Sequence, residues 1–161
     1  MTALLAGFLL SGCVQPQSGE VTGGEALLMI TDQEARLIPE RHLTMINEER
    51  QALGLAVIGI SDELTVAART HAEDMSRQRR VWHFGIDGSS PIDRVREAGY
   101  PGGLIGENIA ETFEHDVEIL EAWLRDQDTR SNILHPEARH LGIAFKQDSD
   151  GRLWWVQLVG G

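Results

Sequence analysis

Gly106-Glu107-Asn108, followed by Trp123 with Asp126 and then by Arg130-Ser131-Asn132-Ile133-Leu134, is the stretch on which the reading of this chain turns, with His83 as its upstream companion. Toward the C-terminus from it, Leu141 to Gln147 and Leu153 to Val159 are strand-like runs. Asp148-Ser149-Asp150-Gly151 joins them, and Asp and Gly tolerate the backbone conformations of a tight turn, so the pair reads as a hairpin. Asp148 and Asp150 lack the downstream acid of a calcium loop, since the twelfth position counted from Asp148 is Val159. Trp123, Trp154 and Trp155 read as core or groove wall. Glu107 in a glycine-preceded turn is able to brace a loop through backbone N–H groups, as is Asn108. Arg130 and Asn132 read as pins that hold a turn to the sheet.

Upstream, the apolar period is helical. From Pro39, the positions Leu43, Ile46, Arg50 and Leu53 fall on one stripe and Gly54 offers a stop. The preceding residues, Glu25 to Ile38, carry no decisive pattern. Val57 to Ile60 offers a further strand. Ser61 or Asp62 caps a second helix with Leu64, Ala68, His71 or Ala72, and Met75 on its inner face. The basic group Arg77, Arg79 and Arg80 complements the dipole at its end. Ser90-Pro91-Ile92-Asp93 combines a capping side chain, a proline at the first helical position and an acid at the third, which predicts a short helix through Ala98, ended by Gly99. A fourth helix is expected over Asp116 to Arg125, with Val117, Leu120 and Leu124 on one face and Trp123 beside them. Helices around paired strands make the expected class α+β, a three-layer α-β-α sandwich with a mostly antiparallel central sheet.

The chain has 161 residues, 42% of them hydrophobic, enough for one core of about 120 residues with an N-terminal extension. Its 25 acidic against 14 basic residues give a net charge of −11, which repels phosphate backbones and excludes nucleic acid as an expected partner. Cys13 is the sole cysteine, so packing and not an intramolecular disulfide holds the domain. Ala3 to Leu10 is apolar but too short to span a bilayer, and it runs into Leu10-Ser11-Gly12-Cys13, which resembles a bacterial lipoprotein box. No Lys or Arg precedes this run. The expectation is a signal peptide over 1–12, acylation of Cys13, and a tether over 13–36 rich in small and polar residues. The protein would then be exported and lipid-anchored in a bacterial cell envelope, with the membrane as a partner through Cys13.

The ordered series His83, Gly106-Glu107-Asn108, Trp123 and Arg130-Ser131-Asn132-Ile133-Leu134 resembles the CAP family, named for cysteine-rich secretory proteins, antigen 5 and the pathogenesis-related-one proteins. The likeness extends over Pro39 to Gly161, which sets the expected domain at 37–161. It implies a groove in which two histidines and two acids meet and, in some members, hold zinc. His83 matches the first histidine and Glu107 the first acid, and these two are the expected metal ligands. Asp126 stands where many eukaryotic members have the second acid and bacterial members usually have serine. Thr129 stands where the second histidine belongs, and a hydroxyl is a poor zinc donor at neutral pH. His135 and His140 lie beyond the matched register. The expected ligand groove therefore comprises His83, Glu107, Asn108, Asp126 and Thr129. Three functions stay open: a non-catalytic binding module for a lipid, envelope or protein ligand; an envelope scaffold; and a metal-assisted hydrolase or peptidase built on His83 and Glu107.

Overall fold

The computed structural model describes residues 29–112 and 114–161; the apolar N-terminal run, Cys13 and most of the expected tether lie outside them. Along the chain come α1 (Asp32–Ala52), β1 (Gly59–Ile60), α2 (Asp62–Gln78), α3 (Pro91–Glu97), β2 (Leu104–Glu111), α4 (Asp116–Arg125), α5 (Gln127–Ile133), β3 (His140–Gln147) and β4 (Leu153–Gly160). The four-stranded sheet has the order β1-β3-β4-β2, with β1 parallel to β3 and the other neighbours antiparallel. The fold is α+β with a mixed, mostly antiparallel sheet and flanking helices.

Every residue of β4 is buried, which explains its nearly unbroken apolar run: both faces of the strand are covered. On one face Trp155 and Val159, with Leu141 and Ile143 of β3, pack against Ile46 of α1, Ile119 and Trp123 of α4, and Ile133 of α5. On the other face Trp154, Val156 and Leu158 pack against Leu64 and Met75 of α2 and Val95 of α3. The helix α2 approaches the sheet closely because its inner positions include Ala67, Ala68 and Ala72. A Cβ added at Gly142 of β3 would sit 2.3 Å from the carbonyl carbon of Leu64. Gly142→Ala is therefore expected to push α2 off the sheet and lower stability by about 1–3 kcal/mol, measurable by urea unfolding; an unchanged midpoint would contradict this packing.

Four elements differ from the sequence expectation. The first helix starts at Asp32, ahead of Pro39, so residues 32–36 are helical and not tether. A capping box starts it: Thr31 Oγ1 accepts from the Glu34 amide at 3.2 Å and the Glu34 carboxylate accepts from the Thr31 amide at 3.0 Å. Pro39 lies inside the helix, and its missing N–H is offset by burial of Ile38 and His42 on the same face as Ile46 and Arg50. Leu53, expected on the inner stripe, is exposed. The stretch around Gly106-Glu107-Asn108 is the strand β2 and not a turn. The residues around Arg130 and Asn132 form the helix α5, capped at its start by Asp126. The inner face of α4 is Asp116, Ile119, Leu120 and Trp123, rotated from the expected Val117-Leu120-Leu124 stripe. No helix among the described residues is long and apolar enough to cross a membrane.

Candidate functional site

Strand alternation decides which side chains can meet. Glu107 pairs with Leu158 and so faces α2 and α3, whereas Asn108 pairs with Gln157 and faces α1 and α5. The expected groove residues therefore divide between two sides of the sheet.

On the α2 and α3 side, the Glu107 side chain is 2% exposed and both of its oxygens are engaged. Oε2 accepts from Arg94 Nη2 at 2.7 Å, and Oε1 faces His83 Nδ1 at 2.8 Å. Arg94 reaches this position because the capping box of Ser90 and Asp93 starts α3 and turns Arg94 and Val95 inward. Its guanidinium also donates to the Ser89 carbonyl at 2.9 Å and the His83 carbonyl at 3.1 Å, which ties the loop after α2 to the ion pair. The carboxylate bond places a proton on His83 Nδ1, and the side chain as a whole is 53% exposed. Beneath them, His71 is fully buried with Nε2 at 2.9 Å from the Trp82 carbonyl and 3.7 Å from Glu107 Oε1. Burial pushes the His71 imidazole below its ordinary pKa, against the pull of the Glu107 charge, so the neutral ring donates Nε2–H to Trp82.

On the opposite side runs a buried amide relay. Asn132 Nδ2 donates to Asn108 Oδ1 at 2.8 Å, and Asn108 Nδ2 donates to Gln157 Oε1 at 2.8 Å and to the Thr129 carbonyl at 3.1 Å. Gln157 Nε2 in turn donates to His42 Nε2 at 2.7 Å. The glycine at 106 makes room for this: a Cβ there would lie 2.2 Å from Asn132. Asn108 thus secures α5 to the sheet and presents no free group to a groove. Thr129 is linked to it through its carbonyl, and its hydroxyl donates to the Trp123 carbonyl at 2.7 Å. Asp126 is the N-cap of α5, accepting from the amides of Asp128 and Thr129 at 3.0 and 3.1 Å. Those bonds, the Thr129 amide foremost, hold its carboxyl below the usual range.

Burial pushes the His42 imidazole down to about 4, although Asp116 opposes this. A ring that resists protonation when folded stabilises the protein fully above the unfolded value of 6.5, and that contribution is lost as pH falls toward 4. The expected loss is about 3 kcal/mol between those limits, because the protonated ring would be a charge buried away from water. Depression of the His71 value adds in the same direction. Urea unfolding at pH 7 and pH 4.5 checks this, with His42→Leu expected to flatten the decline; an equally steep decline in that variant would refute it.

The residues present do not fit a zinc ion. An ion at either Glu107 oxygen would meet the Arg94 guanidinium or displace His83, and Thr129 spends its hydroxyl on a backbone carbonyl. Among the described residues, no group of three or more His, Cys, Asp or Glu side chains is placed to hold a metal. Arg94 and His71 lie against Glu107 in this cluster, and the sequence reading assigns neither to it. His71 lies on the recognised inner stripe of its helix, and Arg94 has only its place in the short capped helix as a signal.

The family model of the CAP domain, described as the cysteine-rich secretory protein family, matches residues 43–159. The chain belongs to the CAP family. It is 31% identical over 116 residues to the uncharacterized protein YkwD of Bacillus subtilis (strain 168), covering 72% of this chain and 44% of that protein. It is 29% identical over 101 residues to the uncharacterized membrane protein YlbC of the same organism, covering 63% of this chain and 29% of that protein. The chain thus spans less than half the length of these curated relatives. Among solved structures, an outer surface protein from Borrelia burgdorferi superposes with a TM-score of 0.71 at 21% identity, covering 78% of this chain and 93% of that one. An extracellular protein containing an SCP domain from Bacillus anthracis gives 0.68 at 21% identity, covering 82% of this chain and 44% of that one. These likenesses concern the fold.

Proposed function

We propose that this chain is a lipid-anchored, extracytoplasmic CAP-domain protein that binds a lipid, envelope or protein ligand without performing chemistry on it. The observation that carries the reading is the Glu107 carboxylate, buried and already balanced by Arg94 and His83, so that it has no free oxygen with which to hold a metal or activate a water. Helices against both faces of the sheet support a three-layer α-β-α arrangement for the domain. The extracellular and outer-surface descriptions of the two structural neighbours support export, and Cys13 in its lipoprotein-like box supports anchoring. Palmitate labelling of cells expressing the chain should mark the wild type and not Cys13→Ser.

A second reading has one observation in its favour: a carboxylate orients the half-exposed His83 ring through Nδ1, the arrangement of a general base. A peptide library incubated with purified protein separates the two. The binding reading expects no turnover above that of His83→Ala and Glu107→Gln. Cleavage that disappears in both variants while their unfolding stays cooperative would establish a hydrolase.

A further inference from the structure

Resting on the reading of this domain as a binding module, we infer that the cleft between α2 and α3 seats a lysine or arginine side chain of a partner polypeptide. The cleft has a volume of ≈ 350 Å³, and its apolar wall includes Val66 and Ile86, which are 49% and 61% exposed. Its lining includes the exposed residues Asp87 and Glu97, with Asp87 Oδ1 accepting from the Ser89 amide at 2.8 Å. Asp74 adds a third acid, turned inward to the Ile86 amide at 3.3 Å and to Arg77 at 3.4 Å. The lining cation is Arg94, whose charge is already matched by Glu107 at 2.7 Å. A long basic side chain suits such a seat, with its methylenes on the apolar wall and its charged head at these acids. The net charge of −11 draws cationic partners over a longer range.

The apolar wall points to a polypeptide side chain and not to a simple amine, because a small ammonium ion at the acids would leave Val66 and Ile86 uncovered. The seat also adjoins the pair described above: Ile86 and Asp87 continue the loop that carries His83, and Arg94 bonds both the His83 carbonyl and Glu107.

The test is a titration of the ¹⁵N-labelled full chain, followed by amide shifts, with the tripeptide acetyl-Leu-Lys-Leu-amide and with its norleucine counterpart, which has nearly the same shape and no charge. The lysine peptide is expected to move the Val66, Thr70, Ile86 and Asp87 amides. The norleucine peptide, or the lysine peptide with Glu97→Lys protein, should bind about 10-fold more weakly. Glu97 is exposed, so this variant keeps the dispersed spectrum of the folded chain. Equal binding of both peptides, shifts confined to other surfaces, or no shift with the peptide at about 1 mM would overturn the assignment. Binding elsewhere on the domain would sink the cleft alone, whereas turnover of the peptide library in the preceding experiment would sink the binding reading.

Discussion

Arg94→Met is expected to lower the unfolding free energy by about 3–5 kcal/mol, among the largest effects available to a single substitution in this domain. The variant keeps the approximate length and apolar stem of the side chain but removes the charge that balances Glu107. That carboxylate would stay buried at 2% exposure with His83 as its remaining close partner, and the Ser89 and His83 carbonyls would lose their donor. A buried ion pair is costly mainly when half of it is removed, so the double variant Arg94→Met with Glu107→Gln should recover a large part of the loss. Urea unfolding of the wild type, both single variants and the double variant gives the coupling directly. A loss under about 1 kcal/mol in Arg94→Met would mean that water reaches Glu107 and that the pair is not the closed unit described here.

Arg50→Met is expected to cost about 3 kcal/mol through a different mechanism. Arg50 is fully buried without a carboxylate partner among the described residues; its guanidinium donates to the carbonyls of Ala56 at 2.8 Å, Ile133 at 2.8 Å and His135 at 3.1 Å. It thus satisfies the end of α5 and fastens the chain entering β3 to α1. Burial lowers its pKa, with Arg139 adding to the effect, yet the carbonyl cage retains it. With methionine, these carbonyls stay inside with no donor. Unfolding measurements should show the full loss, and hydrogen exchange should show loosening first at the end of α5. Retained stability would mean that the carbonyls find water.

How much of this is legible in the sequence depends on how local the signals are. The helices α2, α3 and α4 announce themselves through a capping side chain or an apolar period. The β3-β4 hairpin does so through the Asp-Gly turn, with Gly151 at φ +85. The start of α1 is obscured because a proline usually marks the first turn, and Pro39 here lies beyond a capping box at Thr31. The strand β2 is hidden because Gly106-Glu107-Asn108 interrupts any apolar alternation, and its polar residues are buried by partners distant in sequence. The helix α5 escapes notice since Ile133 is its one fully buried position and its cap, Asp126, also looks like a site acid.

The candidate site shows the same division. His83 and Glu107 are identifiable from the sequence, and they meet. The sequence groups Asn108, Thr129 and Asp126 with them, yet alternation along β2 sends Asn108 to the other face and Asp126 serves as a cap. The partner that decides the chemistry is Arg94, which reaches Glu107 across the space between α3 and β2; no periodicity reports such a contact.

Arg94 neutralises Glu107 from within the protein, and the carboxylate is expected to take no metal. A calorimetric zinc titration of the full chain beside His83→Ala checks this. Both proteins are expected to give the same weak, unsaturated heats. Tight one-to-one binding by the wild type that vanishes in His83→Ala would contradict it, and would mean that Arg94 yields Glu107 to the ion.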